Sequence, residues 1–134
     1  MPQGIVGPQG ITTISPPARE SLVKIGKIDS TDSTTGVAVF GLPKGAFIAG
    51  VYTIATGANT TQNITAGFTA SGTDLLTSFA PNATGYVTAG ANAGASVGTQ
   101  LTADKTVYAK ASATLTSTVT VIVDYWVAPV GQGY

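Results

Sequence analysis

The side chains that could carry chemistry here are few. The 134-residue chain has no His and no Cys, and its acidic residues number six. Without imidazole or thiolate there is no histidine-driven nucleophile, zinc finger, iron–sulfur cluster or haem ligand. What remains for acid–base work is Glu20, Asp29, Asp32, Asp74, Asp104 and Asp124. Asp29-Ser30-Thr31-Asp32 offers two carboxylates and hydroxyls of the kind calcium takes, but lacks a third acidic ligand and the rest of a calcium loop. It reads as a polar turn between strands. A glycosidase needs two carboxylates across a substrate. The single Glu sits near the N-terminal end, and the Asp residues fall in or beside expected strands and turns, where caps and solvent-face charges account for them. The stretch from Gly90 to Gly98 is glycine-rich, yet no Lys-Ser/Thr pair and no helix pattern follow it, so it is not a phosphate loop. It reads as a flexible or tightly packed surface loop. Asn59, Asn63 and Asn82 each open an N-glycosylation pattern. In so Thr-rich a chain such patterns arise by chance. The expectation is a protein without catalysis, cofactor, metal or small-molecule substrate.

The elements that must position any binding residues are strands. No helical periodicity is present, whereas period-two alternation recurs. Over 118–127, Val119, Val121, Val123, Tyr125 and Val127 fall on one face, opposite Thr118, Thr120, Ile122, Asp124 and Trp126. Over 106–115, Val107, Ala109, Ala111, Ala113 and Leu115 alternate with polar or amphipathic residues, and 63–70 alternates through Ile64, Ala66, Phe68 and Ala70. Residues 46–55 are apolar on both faces, which predicts a strand covered on both sides. Further strands are expected over 22–28, 36–41, 74–79 and 85–88. Turn signals such as Leu42-Pro43-Lys44-Gly45 and Ala80-Pro81-Asn82 separate them. About eight short strands with turns every 8–12 residues predict an all-β fold, a single β-sandwich or jelly-roll domain over 21–134. A solenoid suits the Thr/Gly/Ala/Asn composition too, but it needs a fixed internal period, and none is visible.

On this frame some apolar side chains point the wrong way for a core. Ile122 and Trp126 project from the outer face of the last strand, and Tyr52 and Ile54 lie on the strand that is apolar on both faces. These four are either core against a second layer or anchors of an interface with a second copy or another protein, and the interface is the preferred reading. Charge supports association. Only 9% of residues are charged, against about 25% in an ordinary soluble domain, and net charge is zero. Seven of the twelve charges precede residue 45. Scattered cations on a neutral chain give no footprint for nucleic acid, and no apolar run reaches the 18 or more residues of a membrane helix.

The first twenty residues differ from the rest. Gly4, Gly7 and Gly10 recur every third residue, and Pro16 and Pro17 follow. This composition opposes helix and favours extended backbone. Ile5, Val6, Ile11 and Ile14 are too apolar for a solvated tail. Residues 1–20 are therefore expected to form an extended N-terminal arm that docks, through these residues and Pro16-Pro17, on its own oligomer or on another protein. Met1-Pro2-Gln3-Gly4 lacks the basic and apolar regions of a secretory signal, so synthesis in a cytoplasm is expected.

The run from Gly41 to Tyr52, in which Leu42-Pro43-Lys44-Gly45-Ala46 opens an apolar strand, resembles a segment of small tailed-phage structural proteins. Val23-Lys24-Ile25-Gly26-Lys27-Ile28, Asn63-Ile64-Thr65-Ala66-Gly67 and Thr120-Val121-Ile122-Val123-Asp124-Tyr125 resemble their surrounding frame, so the likeness spans 22–127. It implies a head decoration (cement) protein with a β-sandwich or jelly-roll body. Such proteins sit on the capsid exterior, often as trimers, and clamp neighbouring major capsid protein subunits. On that reading the arm is capsid-binding. A receptor- or carbohydrate-binding domain of a head fibre or tail appendage is the alternative, with Trp126, Tyr86 and Tyr134 as the aromatics available to stack on sugars.

Overall fold

The computed structural model describes residues 22–29, 34–59, 61–81, 85–88 and 90–127. The expected arm residues Ile5, Val6, Ile11, Ile14, Pro16 and Pro17, and also Asp32, Asn82 and Tyr134, lie outside that set. The described residues form eight strands: β1 (Leu22–Ile28), β2 (Val37–Leu42), β3 (Ala46–Ala55), β4 (Ile64–Gly67), β5 (Leu76–Phe79), β6 (Gly85–Thr88), β7 (Lys105–Ala111) and β8 (Val119–Val127). One 3-10 turn, Gly90–Asn92, interrupts the glycine-rich loop.

The alternation in the sequence is the alternation in the fold. In β8, Val119, Val121, Val123 and Tyr125 are buried, and the residues between them are not. β7 repeats this with Val107, Ala109 and Ala111. It ends at Ala111, earlier than the pattern suggests. Ala113 is exposed in the following turn, while Leu115 turns back into the core. β4 is likewise shorter than expected, and Ala70 is exposed.

The strands make two antiparallel four-stranded sheets, ordered β1-β8-β3-β6 and β2-β7-β4-β5. First pairs with last, second with seventh, third with sixth and fourth with fifth. The chain is thus one long antiparallel ribbon rolled on itself and closed by the β3–β8 and β4–β7 pairings. This is a jelly roll. The inner faces meet in one core. Ile48, Val51, Val121 and Val123 come from the first sheet, and Leu42, Ile64, Leu76 and Val107 from the second. Leu75, Leu101 and Leu115 seal it from the loops.

β3 is the most fully paired strand. β8 runs along one edge. On the other, β6 covers Tyr52 to Ala55. The remaining edge is taken by the loop after β6. Gly45 N–H donates to Leu101 O (2.9 Å), Leu101 N–H to Ala46 O (2.8 Å), Ile48 N–H to Thr99 O (3.0 Å) and Gly98 N–H to Ile48 O (2.8 Å). The glycine-rich loop is therefore the tightly packed kind. Gly94 shows why it needs glycine: a Cβ there would sit 2.3 Å from the Asp74 carbonyl carbon and oxygen.

Candidate functional site

The two sheets present opposite outer surfaces. On the second sheet, Thr106, Tyr108 and Lys110 point away from the core, and Ala38 and Thr65 sit beside them in register. A shallow depression of about 190 Å³ lies there among Asn63, Thr65, Ser71, Ser78, Lys110 and Ser112. Lys110 Nζ donates to Ser71 Oγ at 3.3 Å. This is an ordinary hydroxyl-rich solvent face.

The first sheet is apolar outside as well as inside. Antiparallel partners point to the same face, so the register fixes the pattern. Ile25, Ile122 and Tyr52 form one row across β1, β8 and β3. Lys27, Thr120 and Ile54 form the next, Val23, Asp124 and Gly50 lie on the other side, and Phe47 meets Trp126 beyond. Val23 is 50% exposed, Ile25 59% and Ile54 38%, the large apolar side chains most open to solvent among the described residues. Tyr52, Ile122, Phe47 and Trp126 are half-buried.

The expected covering of β3 on both sides is thus corrected. Its inner face is buried against the second sheet, and nothing among the described residues covers the outer one. A sandwich of two sheets has no third layer to supply the cover. The four residues picked out from the sequence, Tyr52, Ile54, Ile122 and Trp126, do come together on one face. Sequence reasoning missed Phe47, Val23 and Ile25 as members. Phe47 was visible in the two-sided strand. Val23 and Ile25 were obscured because Lys24 and Gly26 occupy the inward register positions of β1, where an apolar signal is expected. Gly26 sits there because Val39 and Phe40 leave no room for a Cβ.

Local geometry shapes the face. Phe47 and Trp126 stack with ring centroids 4.9 Å apart and planes inclined by 22°. One face of the indole is therefore taken by Phe47. β3 carries a bulge between Ile48 and Gly50. The Tyr52 ring folds back over Gly50, and a Cβ at Gly50 would come within 2.7 Å of the Tyr52 hydroxyl oxygen.

Two of the carboxylates among the described residues accept backbone hydrogen bonds in loops. Asp74 Oδ2 accepts from Phe68 N–H at 2.9 Å, and Asp104 Oδ1 from Lys44 N–H at 2.8 Å. Asp29 follows β1, and Asp124 lies in register with Val23 on the outer face of the first sheet. Among the described residues no three acidic side chains gather as a metal site would need. Asn59, the first glycosylation pattern, is fully buried and is no acceptor in the folded body.

No protein-family model matches the sequence, and a search of curated proteins finds no match. Solved structures do resemble the fold. A chain from the capsid of Ralstonia phage GP4 aligns with a TM-score of 0.62 at 14% identity, covering 89% of this chain and 92% of that one. A chain from the acidic stable capsid structure of Helicobacter pylori bacteriophage KHP30 gives 0.57 at 14% identity, over 82% and 90%. A chain from the cyanophage Pam1 capsid asymmetric unit gives 0.54 at 17% identity, over 90% and 94%. At these identities the likeness is one of fold. It runs nearly end to end in both directions, so the matched chains are about the size of this one.

Proposed function

We propose that this chain is a non-enzymatic structural protein of a bacteriophage virion, a decoration (cement) protein that binds the outside of the head and stabilises contacts between capsomers. The observation that carries this reading is the near end-to-end likeness to similarly small chains of three phage capsids. The chain's absence of His and Cys and its sparse charge suit a packing component rather than an enzyme. Contacts built from apolar surface and backbone pairing are little affected by salt. Repeated over a shell, individually weak contacts add by multivalency. Residues 1–20 act as the capsid-binding arm, laying Ile5, Val6, Ile11 and Ile14 into grooves on the major capsid protein.

The test is decoration of purified, expanded shells of the cognate phage, imaged by cryo-electron microscopy. The full chain is expected as density on the outer surface between capsomers. A chain lacking residues 1–18 is expected to keep its folded body and to occupy far fewer sites. Unchanged occupancy without the arm would remove its role, and localisation to the tail would overturn the head assignment.

A further inference from the structure

The largely apolar outer face of the β1-β8-β3-β6 sheet is of a size that often marks a contact surface. Soluble monomers rarely expose contiguous apolar patches above a few hundred Å². We infer that this face pairs with the same face of a second copy of the chain, forming a two-fold dimer.

The charges on the face point to that partner. Among the described residues at its outward strand positions, two are charged: Lys27 on β1 and Asp124 on β8. They have opposite sign and lie diagonally, because Lys27 is in register with Thr120 and Asp124 with Val23. In a two-fold interface, if residue i of one copy meets residue j of the other, then j meets i. Apposing the faces about an axis midway between Lys27 and Asp124 therefore brings Lys27 of each copy to Asp124 of the other, making two ion pairs from one. The same axis passes by the Ile25–Ile122 register pair, which lies between the charges. Each of these isoleucines then meets its own counterpart, and the centre of the contact is purely aliphatic. The polar outer face of the second sheet has no such arrangement.

The size of the face sets the strength. Four strands of about seven residues span roughly 23 by 19 Å, or ~440 Å² per copy. The pair covers on the order of 900 Å², below the roughly 1,200 Å² of stable specific interfaces and in the range of weak, transient ones. The dimer is thus a reversible one, seen at micromolar concentration and above. Pairing is a property of the body alone and does not rest on the virion reading. It can fail while shell binding stands, and the reverse.

The experiment is sedimentation velocity on the full chain over a concentration series, with charge-swapped variants. The wild type is expected to shift reversibly from monomer to dimer. Lys27→Asp alone and Asp124→Lys alone each place like charges opposite one another and are expected to weaken the dimer by at least about tenfold. The double variant restores the pairing with signs reversed and is expected to recover it. Circular dichroism melts check that all three remain folded. Because the chain has no cysteine, Ile122→Cys gives an independent readout. With a bismaleimide cross-linker of about 8–10 Å span, matched to the roughly 10 Å separation of packed sheets, it is expected to yield a covalent dimer, while Ser78→Cys on the opposite sheet is not. A monomer at every concentration would overturn the inference and leave the face to a different protein. A trimer, as the phage-protein resemblance implies, would overturn it too. So would a dimer indifferent to the charge swaps.

Discussion

Asn59 is a small case of a residue whose meaning depends on distant partners. Its Oδ1 accepts from Thr116 N–H (2.8 Å), Ser117 N–H (3.1 Å) and Thr116 Oγ1 (3.0 Å), and its Nδ2 donates to Ser117 Oγ at 2.7 Å. Its own N–H donates to Pro81 O at 3.0 Å. One fully buried amide thus ties the β3–β4 connection to the turn before β8. Asn59→Ala would leave several of these groups to water or to nothing. It is expected to lower stability by about 2–3 kcal/mol, read from the urea unfolding midpoint. Thr53 is the opposite case. It is buried in the core, and its hydroxyl has no hydrogen-bond partner. Thr53→Val keeps the shape and removes the unsatisfied group. It is expected to stabilise by about 1 kcal/mol, raising Tm by ~3 °C in a scanning calorimeter. Neither effect can be read from sequence, because a Thr in a strand and an Asn in a turn both look ordinary there.

At the scale of elements, the loop from Gly90 to Asp104 behaves as part of the first sheet. Ala93 bridges to Leu76, and Gln100 to Phe47. Gly94 lies against the Asp74 backbone too closely for any side chain. Gly94→Ala is expected to cost about 1–3 kcal/mol and to speed hydrogen exchange at Ile48 and Leu101, whose amides bond across that loop. Exchange unchanged at those two amides would mean that the loop holds the β3 edge independently of Gly94. Strand positions were legible because a strand half-buried on one face prints its alternation locally. β1, β3, β6 and β8 sit within a residue of where the pattern puts them. Pairing was not legible. Leu22 meets Tyr125 across about a hundred residues, and no local signal carries that information. The candidate face shows the same division. Ile122 and Trp126 were visible as misdirected apolar residues. That they share a surface with Val23 and Ile25 became visible only with the register.

For the whole molecule, the contrast between a hydroxyl-rich outer face and a largely apolar one is the main result. A body held by an aliphatic core and backbone ladders should be nearly indifferent to ionic strength. Its Tm is expected to move by less than about 2 °C between ~0.05 and ~0.5 M sodium chloride, and a larger fall would show that ion pairs carry more of the stability than the geometry suggests. The rolled-ribbon topology has a further consequence, for synthesis. β8, the last in sequence of the described strands, lies between β1 and β3. Until it emerges from the ribosome the first sheet cannot close, and β1 has no neighbour within it. The nascent chain must therefore wait for β8 with the β1 and β3 edges that it will fill unpaired. Non-local pairing of this kind folds slowly. Growing chains crowded on one message would meet at these same edges, and a stop before Val119 yields a chain whose first sheet cannot close.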